Sequence, residues 1–334
     1  MSEDSRARTV REVGEFAVID RMNAGRRHGP QVLLGPGDDA AVVAAPDGRF
    51  VVSTDMLVQG RHFRLDWSAP VEIGRKAIAQ NAADIVSMGA RPTAFVVSLG
   101  CPGDTPVALL EGIADGMWTE AARAGGSIAG GDLVDSDQLV ISVTAFGDLG
   151  GQAAITRAGA GVGDIVAVAG DLGWSGAGLA VLSCGADTSD PAFARALAVH
   201  RVPQPPYAAV IDVFGATIPT ALTDVSDGLL ADLGHLATAS GVAIDVHAAA
   251  LADPELAVVA ERLDTDAAQW ILAGGEDHAF AGTWPAGTAL PPGWRPIGVA
   301  GAGSGVTVDG AAPTGGTGWE SFRGSGATAT GRKR

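Results

Sequence analysis

Long apolar runs are missing from this 334-residue chain. No stretch approaches the roughly 18 residues that a membrane-spanning helix needs, so a transmembrane protein is excluded on this reading. The start carries no basic–apolar–small-residue leader pattern, and the expected location is the cytoplasm. Cysteine is scarce: Cys101 and Cys184 stand far apart without C-x-x-C spacing. That argues against a zinc site or disulfide scaffold and fits a reducing compartment. Lysine is scarcer in its class, with Lys76 and Lys333 alone while arginine supplies the other basic residues, which reads first as compositional bias. Aromatics make up 5%, so the interior must be built from Ala, Val, Leu and Ile. Positive charge is outweighed: the formal net charge is −16 and the pI about 4.6, which disfavours nucleic acid or an anionic membrane as the main partner.

Several catalytic signatures are also absent. There is no G-x-x-x-x-G-K-[ST] phosphate loop, no H-E-x-x-H pair, no G-x-S-x-G elbow and no Cys/His set suited to covalent catalysis. The nearest glycine-rich loop, Gly170 to Gly178, lies between a strand and a helix. It is either a phosphate-holding helix N-terminus or a plain connector.

Hydrophobic residues reach 47% and charged ones 18%, enough for a sizeable core, and the length suits about two domains by the usual ~150 residues each. Forty-eight glycines imply many tight turns and close backbone approaches. Helical spacing appears over 13–22, 71–89, 106–124, 175–182, 207–214, from Gly228 to about Ser240, and around 265–273. Strand-like segments run over 40–43, 50–55, 94–99, 139–146, 164–169 and 242–246. Strands and helices alternate in both halves, which predicts α/β or α+β layers. The loop Gly147 to Gly151 is the best candidate boundary, giving domains over 10–150 and 151–322. The small, basic segment 323–334 reads as a disordered tail.

Aspartate recurs in Gly- or Ser-rich turns after strands: Asp38-Asp39, Ser53-Thr54-Asp55, Asp84, Gly131-Asp132 and Asp224-Val225-Ser226-Asp227. Hard oxygen ligands of this kind suit Mg²⁺, which takes a few carboxylates and leaves the rest of its shell to water and substrate phosphate. Singly, each cluster can be a cap or turn, and Asp227 is an obvious N-cap candidate. Gathered without a cation they would repel one another and raise each other's pKa.

The blocks Gly35-Pro36-Gly37-Asp38-Asp39, Ser53-Thr54-Asp55 through His62-Phe63, Lys76-Ala77 with Asn81 to Asp84, Gly130-Gly131-Asp132, Thr156-Arg157-Ala158-Gly159, Asp224 to His235 and Gly274-Gly275-Glu276-Asp277 resemble the thiamine-monophosphate kinase family. That family belongs to the aminoimidazole ribonucleotide synthetase-like superfamily. The similarity runs from about Gly14 to Phe322. It implies a two-domain fold of mixed α/β class, with an N-terminal sheet that completes a barrel across a homodimer. The implied reaction is transfer of the ATP γ-phosphoryl group to thiamine monophosphate, assisted by several Mg²⁺ ions.

The resemblance assigns metal binding to Asp39, Ser53, Thr54, Asp55, Asp84, Asp132, Asp224 and Asp227. It assigns nucleotide contact to Gly131, Asp132, Arg157 and Ser226, and substrate contact to His62, Glu276 and Trp319. Asp55, Asp224 and Arg157 carry the catalytic expectation. Outside the resemblance, Trp319 can also be read as a core anchor, His62 as a structural hydrogen-bonder and Glu276 as a helix cap. Lys76 reads as structural, neutralising a carboxylate near Asp84. Two departures stand out. Leu133-Val134-Asp135-Ser136 replaces the family's Thr-Thr-Arg-Gly, and His278-Ala279-Phe280 replaces Tyr-Glu-Leu, which loses one carboxylate. The competing readings are another ATP-using enzyme of the superfamily acting on a purine precursor, and a nonenzymatic acidic metal-binding protein.

Overall fold

In the computed structural model, residues 8–35, 41–212 and 217–319 are described. Asp38, Asp39 and the segment 323–334 therefore lie outside the described residues. The chain opens with α1 (Val10–Val13) and α2 (Glu15–Asn23). Thr9 caps α1 through a reciprocal box, its hydroxyl accepting the Glu12 N–H while Glu12 accepts its own. A short ribbon follows, β1 (Val32–Leu34) with β2 (Val42–Val43).

The first layered unit contains β3 (Val51–Val58), α3 (Pro70–Ser87), β4 (Arg91–Cys101), α4 (Val107–Ala124), β5 (Ser127–Asp135) and β6 (Val140–Asp148). Its four-stranded sheet has the order β3-β6-β4-β5, with β4 and β5 parallel and the other pairs antiparallel. α3 and α4 lie on one face and approach closely because both carry glycine where they cross. A Cβ on Gly74 would sit 1.9 Å from the Ile113 carbonyl, and one on Gly116 2.0 Å from that of Val71. On the opposite face the β1–β2 ribbon covers Ala94, Ala129, Val96 and Phe146. Beyond it Val52 and Met56 of β3 and Val134 of β5 stay half exposed, at 53%, 52% and 52%.

The second unit contains β7 (Ile165–Ala169), α5 (Trp174–Cys184), α6 (Ala194–Arg201), α7 (Tyr207–Ile211), β8 (Ala221–Val225), α8 (Leu229–Ser240), β9 (Ala243–Val246), α9 (Pro254–Arg262), α10 (Ala267–Ala273), β10 (Ala279–Trp284), β11 (Trp294–Gly301) and β12 (Gly305–Val308). Six strands order as β12-β9-β11-β7-β10-β8, antiparallel except for β12 on β9. The class is mixed α/β, with the α+β character expected.

One face of this sheet packs under α5 and α8, with Val166, Val168, Val225 and Ala281 in their core. The other face, through Ala167, Ala169, Leu222, Phe280 and Trp284, joins the core of the first unit. α3 is thereby enclosed on nearly every side, and its apolar residues extend around the helix as burial demands. The polar residues it buries, Lys76, Asn81 and Ser87, must find protein partners. A second brace between the halves is Glu120, fully buried, which accepts from Arg75 at 3.0 Å and from the Tyr207 hydroxyl at 3.2 Å.

Candidate active site

β3 alternates, so Ser53 and Asp55 face α3 while Thr54 faces the other side of the sheet. The Ser53 hydroxyl donates to Asp84 of α3 at 2.7 Å, and the Asp55 N–H donates to Asn81 at 3.0 Å. The side chain of Gln80 reaches Asp55 Oδ2 at 3.3 Å. β8 delivers Asp224 from the second unit onto the same spot, because α3 packs against β8. The charges register this convergence. Burial pushes the Asp84 carboxyl up to about 7, and the neighbouring Asp224 and Asp55 push in the same direction. Asp227 is raised as well, first by burial and then by Asp224.

Asp224 is 2% exposed, and its Oδ2 has no hydrogen-bond partner among the described residues. Its nearest counter-charge is His278 Nδ1 at 3.5 Å, and one imidazole set against Asp55, Asp84, Asp224 and Asp227 leaves negative charge that a cation would balance. The donor set, all hard oxygen, fits Mg²⁺.

The turn after β8 is held from behind. Asp232, one turn into α8, accepts the N–H groups of Ser226, Asp227 and Gly228 at 3.0, 3.1 and 3.1 Å. Asp227 is therefore not the N-cap that its position suggested: Gly228 takes that place without a side-chain cap, and the Asp227 side chain is left for other work. Asp227, Asp232 and His235 also bring ligand atoms within 4.8 Å of one another. Asp232 carries no special turn motif, and only its spacing from Gly228 could have flagged it.

The segment 274–278 is laced to this turn. The Glu276 N–H donates to Ser226 O at 2.7 Å and the His278 N–H to Val225 O at 2.8 Å. Glu276 and His278 both adopt left-handed backbone, at φ 66 and φ 51, strain of order 1–3 kcal/mol that surrounding contacts must hold. Glu276 is not a helix cap. It pairs with Lys76 Nζ at 3.0 Å, and Lys76, instead of neutralising a carboxylate near Asp84, spends its charge there. The Lys76 charge holds the Glu276 carboxyl below its ordinary range in spite of burial, which acts the other way.

Asp277, left without a role by the sequence, turns away from this cluster. Its carboxylate accepts the N–H groups of Gly173 and Ser175 at 2.6 and 3.1 Å, at the start of α5. The helix N-terminus in the glycine-rich loop is thus filled by the protein's own carboxylate, which removes the phosphate-holding alternative for residues 170–178.

His62 is half-buried and its Nδ1 accepts the Val58 N–H at 3.0 Å, which makes Nε2–H the donor, without a partner among the described residues. The Trp319 N–H donates to Asp227 O at 2.8 Å while its side chain stays 60% exposed, so it is no core anchor. Arg157 is exposed at the edge of the cluster, with Nε donating to Thr223 Oγ1 at 3.2 Å.

Two of the expected metal ligands stand apart from the cluster within one chain. The Thr54 hydroxyl donates to Val143 O at 2.9 Å on the far side of the sheet, so only its backbone carbonyl could join a metal set with Asp55. Asp132 lies on β5, the opposite edge of the sheet from β3. Three inter-strand steps of ~4.8 Å, about 14 Å, separate the two edges. Gly131 beside it is required by packing, since a Cβ there would meet the Val97 carbonyl at 2.0 Å.

The arrangement described is that of a fold in which a divided carboxylate cluster forms between two α/β units. Residues 37–149 match the family model of AIR synthase related proteins, N-terminal domain. A thiamine-monophosphate kinase of Mycobacterium tuberculosis is 55% identical over 319 residues, covering 94% of this chain and 93% of the relative. The crystal structure of thiamine-monophosphate kinase from Stenotrophomonas maltophilia K279a superposes with a TM-score of 0.78 at 34% identity, over 90% of this chain and 98% of that one. AaThiL complexed with AMPPCP and TMP gives a TM-score of 0.77 at 30% identity, over 93% and 98% of the two chains. The chain belongs to the thiamine-monophosphate kinase family.

Proposed function

We infer that this chain transfers the γ-phosphoryl group of ATP to thiamine monophosphate, giving thiamine diphosphate and ADP. The observation that carries this reading is the convergence of Asp55, Asp84, Asp224 and Asp227 from both halves of the chain on one half-buried spot, in a protein 55% identical to a thiamine-monophosphate kinase. The acceptor is a phosphate oxygen already ionised at neutral pH, so no strong general base is needed. What the reaction needs is relief of repulsion between two anionic phosphates and in-line positioning.

Asp55, Asp84, Asp224 and Asp227, with Ser53 and the Thr54 carbonyl, would hold Mg²⁺. Bound there, Mg²⁺ supplies positive charge against the phosphate oxygens. Arg157, its Nε tied to Thr223, offers its remaining guanidinium N–H groups to the same oxygens, with Ser226 nearby on the laced turn. His62, Glu276 and Trp319 form the acceptor side, Trp319 presenting an exposed aromatic face to a cationic ring.

We assign residues 10–150 to the ATP/Mg²⁺-binding and dimerisation domain and 151–322 to the second domain. Closure of the open sheet by a second copy gives Asp132 and Gly131 a place in the site. It would cover Val52 and Met56 and bring the partner's β5 edge beside β3. The protein is expected to act as a cytoplasmic homodimer.

The test is ADP formation with ATP and Mg²⁺, comparing thiamine monophosphate, thiamine and aminoimidazole ribonucleotide precursors. Turnover with thiamine monophosphate alone is expected. Turnover with thiamine but not its monophosphate overturns the substrate, a response only to the purine precursor moves the chain to that chemistry, and metal-dependent stability without turnover leaves a metal-binding protein.

A further inference from the structure

Lys76 is one of two lysines in the chain and is 2% exposed. An ammonium group has three N–H donors, and here each meets an acceptor from a different segment. They are the His62 carbonyl at 3.1 Å, the His200 carbonyl at 3.4 Å and Glu276 Oε2 at 3.0 Å. Burying such a charge is costly, and an apolar side chain of similar volume often serves stability as well or better. Stability alone therefore gives little reason for it. A guanidinium, the cation this chain uses almost everywhere else, is planar and forked and cannot meet three separated acceptors from one small nitrogen.

The groups it ties down are those on the acceptor side. The His62 carbonyl anchors the loop that presents the imidazole, whose Nδ1 is already held by Val58. Glu276 sits on strained backbone at φ 66, and Lys76 takes one carboxylate oxygen while His200 Nδ1 stands 3.7 Å from the same oxygen. Oε1 keeps no protein partner among the described residues, and the Glu276 side chain is 31% exposed. A carboxylate oxygen so presented would repel a phosphate and attract an N–H donor or a ring cation.

We propose that Lys76 is the positioning residue of the acceptor site: it holds Glu276 and the His62 loop so that Glu276 Oε1 takes the cationic, amine-bearing end of the acceptor. This rests on the functional reading above. Lys76 touches neither substrate.

Steady-state kinetics on the full-length protein test it, with thiamine monophosphate and ATP varied separately and thermal melts run alongside. Lys76→Met is expected to raise the KM for thiamine monophosphate roughly 10- to 100-fold, as loss of positioning does, with the KM for ATP unchanged. Lys76→Arg restores charge but not geometry and should not rescue the KM. The double variant Lys76→Met/Glu276→Gln should bind the acceptor no worse than the weaker single variant, since both act through one carboxylate. Should Lys76→Met not fold, Lys76→Arg and Glu276→Gln carry the same reading. A wild-type KM for thiamine monophosphate in folded Lys76→Met or Lys76→Arg, or additive effects in the double variant, overturns the proposal. A wild-type protein that makes no thiamine diphosphate overturns the functional reading and this inference together.

Discussion

Asp224 Oδ2 and His278 Nδ1 lie 3.5 Å apart, both buried and neither with a hydrogen-bond partner among the described residues. Burial pushes the His278 pKa down, but Asp224, followed by Glu276 and Asp84, outweighs it and holds the ring above its ordinary value. The pair marks where charge compensation is still incomplete.

Asp224→Asn follows from this. The change relieves repulsion with Asp55, Asp84 and Asp227 but also takes from buried His278 its nearest counter-charge. The two effects on the metal-free protein oppose each other, so the Mg²⁺ response, not the absolute stability, is the readout. Mg²⁺ should raise the melting temperature of wild type but not of Asp224→Asn, and turnover should fall on the order of a hundredfold or more. Melts with and without Mg²⁺, together with kcat, check this. A variant that keeps both the Mg²⁺ response and the rate would remove Asp224 from the site.

The position of Asp132 makes a prediction about assembly. If the partner's β5 edge completes the site, Asp55→Asn and Asp132→Asn homodimers are each inactive. Mixing and reannealing them gives heterodimers in which one site carries both changes and the other neither. Activity should return in the mixture, up to about a quarter of wild type for random pairing of a two-fold dimer. Failure to recover activity after verified subunit exchange would place Asp132 outside its partner's site.

The helices α3 and α4 and the strands β3, β4 and β6 were legible because their hydrophobic patterns are long and regular. α6, α9 and β10–β12 were not. Their segments are short, rich in Ala and Gly, and buried by a sheet whose order only tertiary pairing reveals. At the site, the Asp turns were legible as chemistry, but what supports them was not. Asp232 bonds a turn four to six residues back, Asp277 caps a helix more than a hundred residues away, and Lys76 pairs with Glu276 across 200 residues. No local pattern encodes the last two partnerships, and for Asp232 only its spacing from Gly228 hints at the first.

His200 gives the stability a pH signature. Burial, and then the Lys76 charge, pushes its pKa from 6.5 down to about 4. The unfolded chain therefore binds a proton between those values that the folded protein refuses. Stability contributed by the neutral ring is complete above 6.5 and is lost as pH falls toward 4. Urea unfolding at successive pH values should show a slope of up to ~1.4 kcal/mol per unit in that window from this group. His200→Gln should flatten that slope. An unchanged slope would mean that His200 titrates normally.

Asp277→Asn tests the cap on α5. An amide offers one acceptor oxygen where the carboxylate serves both Gly173 and Ser175, so one buried N–H loses its partner. The expected loss is about 1–3 kcal/mol, read by denaturant titration. Faster hydrogen exchange should be confined first to the amides of the 170–175 loop. Because Asp277 already occupies this helix end, nucleotide affinity should change much less than stability does. A variant that keeps stability but loses ATP binding would show instead that the loop at 170–178 faces the nucleotide.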